Sequence, residues 1–361
     1  MTRQQGRTLA AMAAMAALAL PAQAQSRLTI SGAVDLAMRS VHNSNGTLSS
    51  LVSGGNATSR LVVRGSEDLG GGLVASFWLE GSLAADNGVA GTGAQFWDRQ
   101  STVSLSGPFG EIRMGRDWTP VYTGYVFSDP WLNMGVGTSS NFLNASVSTV
   151  YQAAFGSALN PTTLSRSNNA FEYWLPANLG GLYGHVMVSP GEGNNAGGGF
   201  RYHAARLGYK TGGLDVAVYG GSTRIDAADR NLTQAGLYGA YQMDGGATLM
   251  ASATRSSFAS ASHWHWSTGV RVPMGVWLFK ASYNHLDQRG RNAAGADIDA
   301  NDAHQFAVGA DYLLSKRTAV YATVARMVNR GNARFALPNG VPNLAPGSNA
   351  TGFDLGLRHS F

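Results

Sequence analysis

The chain ends in TGFDLGLRHSF (351–361), and the reading of these eleven residues decides the fold. Phe353, Leu355, Leu357, His359 and Phe361 share one parity, while Gly352, Asp354, Gly356, Arg358 and Ser360 share the other. Alternation of period two marks an extended strand with one apolar and one polar face. Chain termini usually fray. A patterned strand that stops on a bare phenylalanine therefore implies a partner strand that ties the end down.

The pattern recurs from the other end of the chain. In RLTISGAVDLAMR (27–39), Leu28, Ile30, Val34, Leu36 and Met38 oppose Arg27, Thr29, Ser31, Asp35 and Arg39. GLVASFWLEGSL (72–83) sets Leu73, Ala75, Phe77, Leu79 and Leu83 against Ser76, Trp78, Glu80 and Ser82. Further segments lie near 57–67, 97–106, 110–117, 168–177, 181–189, 201–211 and 214–224. Others follow near 232–243, 246–255, 263–273, 276–287, 303–314, 317–328 and 351–361, about sixteen strands of roughly ten residues each.

The N-terminus reads differently. Arg3 and Arg7 precede an apolar run from Thr8 to Leu20, and Ala22-Gln23-Ala24 supplies small residues for cleavage. That run is shorter than the ~20 residues a membrane-spanning helix needs. Residues 1–24 are expected to be a signal peptide and residues 25–361 a single domain. Removing Arg3 and Arg7 lowers the formal net charge from +5 to +3, which leaves no basic stripe for nucleic acid. The absence of cysteine excludes a disulfide scaffold, thiol catalysis and thiolate metal sites. The 47 glycines run along the whole chain without a linker, which favours one large β architecture over two ordinary domains.

The connections are lopsided. Short turns rich in Gly, Pro, Asp or Ser recur at 68–72, 107–110, 179–181, 211–213, 243–246, 273–275 and 314–317. Long polar ones at 40–56, 84–95, 190–200, 288–301 and 329–350 alternate with them. This is an up-and-down meander whose two ends face different surroundings. A sandwich would bury the apolar parity inside. A membrane barrel turns it to lipid, and backbone groups in lipid must all be bonded internally, so the sheet must close. Trp264, Trp266, Trp277, Phe279, Tyr283, Phe171, Tyr173 and Tyr312 lie toward strand ends on the apolar parity, as interfacial girdles require. The expected fold is an all-β transmembrane antiparallel barrel of about sixteen strands, wide enough for a water-filled lumen.

SRLVVRGSEDLGGGL (59–73), RQSTVSLSGPFGEIRMGRDWTP (99–120), the opening LTISGAVDLAM and the closing GLRHSF resemble the general porins of β-proteobacteria. The resemblance covers the whole mature chain. It implies a Gram-negative outer-membrane homotrimer in contact with lipid and lipopolysaccharide, with a pore through each subunit narrowed by an inward-folded third loop. Here that loop is the segment 117–166, the longest connection, whose aromatics include Trp118, Tyr122 and Trp131 and whose only acids are Asp117 and Asp129. In such barrels a C-terminal aromatic, here Phe361, is also the signal read by the assembly machinery.

Charged side chains at the narrowest level select ions. Leu61 and Val63 carry the lipid-facing parity, so Arg60 and Arg64 face the lumen; Arg113, between Ile112 and Met114, does too. In the anion-preferring relatives an arginine cluster faces the inward loop, and the matching positions are Arg60, Arg99 and Arg166. The parity of Arg99 is that of Val103 and Leu105, which points it at lipid unless a bulge resets the register or it sits at the rim. The chain is expected to pass small hydrophilic solutes with a preference for small anions.

A substrate-specific channel for phosphate or small organic acids, an adhesin and an outer-membrane enzyme are the alternatives. His263-x-His265 is the only close histidine pair, and two polar residues facing water account for it better than a metal site does. No G-x-S-x-G, phosphate loop or HExxH is present, so neither an enzyme nor a cofactor is expected.

Overall fold

Alternating side chains and tight turns produce strands that bond to their sequence neighbours from end to end. The computed structural model describes residues 26–91, 95–143, 147–156, 163–191, 200–225 and 230–361. The expected signal peptide (1–24), like most of the long connection at 190–200, lies outside the described residues. The strands are β1 Arg27–Asn43, β2 Gly46–Ser53, β3 Arg60–Gly70, β4 Leu73–Ala84, β5 Val89–Ala90 and β6 Gln100–Gly107. Then come β7 Gly110–Trp118, β8 Arg166–Trp174, β9 Leu182–Ser189, β10 Arg201–Thr211, β11 Leu214–Arg224 and β12 Asn231–Gln242. The last are β13 Thr248–Phe258, β14 Ala261–Met274, β15 Trp277–Gly290, β16 Ala303–Leu313, β17 Thr318–Asn329 and β18 Ala350–Ser360.

Two of the eighteen belong to outer loops. β2 folds back on the outer half of β1, and β5 pairs two residues of β4. The remaining sixteen form one closed antiparallel ring, in which β1 pairs β3 along its inner half and β18 on its other edge. Several strands run longer than their alternation alone sets them: β1 continues to Asn43 because Ser40 and His42 stay in register with Phe353 and Thr351. β8 stops at Trp174, before Pro176, rather than at residue 177, as a residue without an amide donor requires.

The apolar parity points outward. Leu28 is 67% and Met38 60% exposed, whereas Asp35 and Asp354 on the other parity are fully buried inside the ring. Aromatics mark both edges of this outer band: Trp264 stacks on Trp266 near the loop end, and Trp277 meets Phe279 and Tyr312 near the turn end. Among the described residues no helix is long and apolar enough to cross a membrane; the crossing is made by strands.

The seam explains the odd ending. Phe361 N donates to Gly32 O and Gly32 N to Phe361 O, both at 3.1 Å. The phenylalanine ring lies over Gly32, where any Cβ would run into both that ring and the Arg60 carbonyl. Only glycine permits this approach. Deleting Phe361 removes two main-chain bonds worth ~1 kcal/mol each. We expect urea unfolding of the purified barrel to show a loss of about 2 kcal/mol, and Gly32→Val to lower the folded, heat-modifiable fraction as well.

Candidate pore constriction

The chain leaves β7 into Thr119-Pro120, a helix start: the Thr119 hydroxyl accepts from Tyr122 N at 3.3 Å, and proline occupies the first turn, where its missing donor is not needed. Helix α1 (Pro120–Ser128), a 3₁₀ turn (Ser139–Leu143) and helix α2 (Thr149–Phe155) follow before the return at Arg166. Thr119 N bonds Ser165 O at 3.0 Å, so the two ends of the segment close on each other.

The segment lies inside the ring against one wall. α1 settles on β11 because Gly124 leaves room for the Tyr219 ring, which a Cβ would overlap. Ser128 Oγ donates to Ser252 Oγ at 2.9 Å, Trp131 Nε1 to Thr323 Oγ1 at 3.1 Å and Val136 N to Asp354 Oδ2 at 3.0 Å. Gln305 of β16 receives Asn141 Nδ2 at 2.7 Å and donates to the carbonyls of Gly137 and Thr138. Arg271 donates to Pro130 O, and Tyr151 meets Ser256 at 2.9 Å. Val121, Tyr125, Trp131, Phe142, Val150 and Tyr151 are buried in the same contact. Polar anchors and apolar burial thus act together from β11 to β18.

Asp129 is the hub of the turn after α1. Its carboxylate accepts from Trp131 N, Asn133 N, Ser139 N and Thr138 Oγ1 at 3.0–3.1 Å and is fully buried. Burial pushes its carboxyl above the ordinary range, while the four donors pull the other way. Leu132 and Asn133 both hold left-handed backbone (φ 52° and 60°) inside this turn. Such residues cost on the order of 1 kcal/mol or more each, which the bonds to Asp129 offset.

The opposite wall, β3 to β8, carries the arginines. Arg99 Nε reaches Glu80 Oε1 at 2.5 Å, and Arg60 Nε approaches the same oxygen at 3.6 Å. Arg166 Nε donates to the Arg99 carbonyl at 2.7 Å, and its guanidinium stands 5.7 Å from the Trp118 ring and 5.9 Å from that of Tyr122. The structure therefore brings Arg60, Arg99 and Arg166 together. Arg99 joins because it precedes β6: its amide still pairs Glu80 O, but alternation no longer dictates its side chain. Asp98, beside it, is held by Ser82 N and Oγ, both at 2.7 Å. Cations remain in surplus over acids here.

Arg64 and Arg113 belong to a separate recess of about 330 Å³ lined also by Arg27, Trp78, Gln100 and Glu111. Arg64 lies 5.1 Å over Trp78. Arg113 is neutralised by Glu111 (2.8 Å) and Asp117 (2.6 Å) and packs on Trp174. Asp117 goes with Arg113, and two further loop residues expected at the constriction also sit elsewhere: Asp129 is sealed in the loop turn, and Trp131 is buried against β17. The histidine pair needs the same correction. His263 and His265 point inward as expected but do not face water; they pack under the loop against Tyr151 and Tyr125. No cluster of three metal-binding side chains occurs among the described residues.

Other inward cations were not singled out in the sequence. Arg39 pairs with Asp354 (2.7 Å), Lys280 with Asp311 (2.8 Å), and Arg206 lies between Tyr183 and Tyr238. Asp35 accepts from the Tyr321 hydroxyl and from Ala57 N. The acids of the β1, β16 and β18 wall are thus each committed to a partner. The parity test applied to Arg60 picks out Arg39, Arg206 and Lys280 equally well; their partners come from distant strands and are invisible to it.

Known proteins resemble this chain in sequence and fold. The family model for Gram-negative porins matches residues 10–332. The chain is 33% identical to outer membrane porin protein 32 of Delftia acidovorans, over 98% of this chain and 99% of that one. It is 26% identical to major outer membrane protein P.IB of Neisseria meningitidis serogroup B, over 96% and 98%. The solved anion-selective porin from Comamonas acidovorans superposes with a TM-score of 0.80 at 30% identity, covering 93% of this chain and all of that one. OmpT of Vibrio cholerae, at 15% identity and a TM-score of 0.65, shares the fold.

Asp129→Ala leaves four donors unanswered in a buried turn, at a cost of roughly 1–3 kcal/mol for each buried group left without a partner. We expect new protease cuts between 119 and 165 and noisier single-channel currents, with the barrel itself still intact on unboiled gels.

Proposed function

The chain belongs to the Gram-negative porin family, and from that premise we propose that its channel prefers small anions. It is an integral outer-membrane barrel that lets small hydrophilic solutes diffuse through, and it is not an enzyme. The observation that carries the anion reading is the gathering of Arg60 and Arg99 at Glu80 with Arg166 on the Arg99 carbonyl, opposite a loop whose one central acid, Asp129, is buried. An ion crossing this level meets cations on one side and, on the other, a packed loop whose central acid is sealed away from the lumen. Glu80 holds Arg99 in place without cancelling its neighbours. Arg166, braced by Trp118 and Tyr122, supplies a guanidinium whose position the loop itself fixes. The name of the superposed Comamonas porin supports the same preference.

The rest of the assembly follows from family membership. We infer a homotrimer, a leader over residues 1–24 removed on export, lipopolysaccharide around the outer rim, and recognition of the last strand with Phe361 by the barrel-assembly machinery. Single-channel records that step in threes are the expected outcome that tests the trimer.

Selectivity is tested in planar bilayers across a KCl gradient. One unit charge about 5 Å from a passing ion in water is worth about 0.8 kcal/mol, about fourfold in partition. The wild-type reversal potential takes the anion sign, and Arg60→Gln and Arg99→Gln each lower the chloride-to-potassium permeability ratio by up to about sixteenfold, about fourfold from each ion. A cation sign for the wild type refutes the reading.

A further inference from the structure

The pore makes no use of a recess on the lipid-facing side of β10 to β14. There the outward side chains shrink to Gly239, Ala251 and Ala253, between walls made by Leu207, Leu237 and Trp266, and leave a groove of about 680 Å³. Ala253 is only 6% exposed although its parity is the outward one, because the walls rise above it. A Cβ on Gly239 would meet a single atom, Val216 Cγ1 at 3.5 Å, so the floor is open. Such a lining offers nothing to water and suits a hydrocarbon chain.

Cross-strand register places a cation at the head of this groove. Arg255, two residues above Ala253 and three from the loop end of β13, sits between Ala235 and Trp264 and is exposed. Among the described residues its guanidinium has no ion pair or side-chain hydrogen bond. A guanidinium on the lipid-facing parity is costly unless it lies at the interface and meets an anion. The next row outward continues in hydroxyls, Ser222, Thr233, Ser257 and Ser262, in register across four strands. Neither row carries an acid between β11 and β14. Long connections mark this rim as the outer one.

We propose that this groove binds a phosphorylated lipid of the outer leaflet, one acyl chain lying over Ala251 and Ala253 and the phosphate held by Arg255 with the Ser257 and Thr233 hydroxyls. An arginine fork matches phosphate oxygens, and apolar floor, indole wall and cationic head follow one another in the order of an amphiphile. The site lies outside the barrel, so it stands apart from the ion preference of the pore.

The test uses the full protein in phosphatidylcholine vesicles, with bromine on the acyl chains of either phosphatidylcholine or added phosphatidate, and reads tryptophan quenching. At equal mole fraction brominated phosphatidate quenches more strongly, and the Trp264→Phe/Trp266→Phe protein loses the difference. Arg255→Gln lowers the apparent affinity for phosphatidate about fivefold, the effect of ~1 kcal/mol for one arginine at an anionic surface converted at 1.4 kcal/mol per tenfold. Its reversal potential and unboiled mobility stay those of the wild type. Ala251→Phe fills the groove and reduces quenching by both lipids. Equal quenching by the two lipids, or an undiminished preference in Arg255→Gln, overturns the proposal. Tryptophans shielded from both lipids, with subunit assembly lost in Arg255→Gln, overturn it in favour of a contact between copies of this chain.

Discussion

Every peptide group that enters hydrocarbon must find its hydrogen-bond partner within the protein, and the architecture of this chain answers that constraint. An open sheet would leave two edges unpaired in lipid. Closure removes them, at the cost of bringing the first and last strands together across the whole sequence. The register Ala33↔Ser360 to Asn43↔Ala350 continues into the mutual bonds of Gly32 and Phe361. Once the ring is closed, period-two alternation leaves no further choice of face. Leu, Val and aromatic side chains meet lipid, while charged side chains share an interior where each needs water or a partner.

That interior is divided unequally. One wall is occupied by a long segment that buries its own aromatics against β11 to β18 and satisfies its backbone through Asp354 and Gln305. The acids on this wall are paired with Arg39, Lys280 or Tyr321. Free space and unmatched charge are left on the other wall, where Arg60 and Arg99 share Glu80 and Arg166 joins them through the Arg99 carbonyl. The charge that selects ions is therefore set as much by what the loop covers as by what the opposite strands display.

The barrel was legible because its signal is local: parity is read two residues at a time, and turns announce themselves in Gly, Pro and Asp. Arg60, Arg64 and Arg113 followed from the same test. Arg99 defied it, since it lies one residue before β6, where its amide still pairs Glu80 O but alternation no longer dictates the side chain, which turns toward Glu80. The β2 hairpin, the helices of the loop and the burial of Asp129, Trp131, His263 and His265 depend on contacts between residues far apart in sequence. No periodicity encodes those. Thr119-Pro120 and Ser148 are readable helix starts in hindsight, each a side chain that accepts from the first turn.

The account stands on the loop being fixed against one wall of the lumen. Ser128 and Ser252 touch across that contact at 2.9 Å, and the chain has no native cysteine to interfere. The most direct measurement is single-channel conductance of the Ser128→Cys/Ser252→Cys protein before and after oxidation. The hydroxyl separation lies within reach of a disulfide. The account predicts rapid, complete cross-linking with conductance and reversal potential unchanged. Failure to cross-link, or a conductance that shifts sharply when the bond closes, would contradict it.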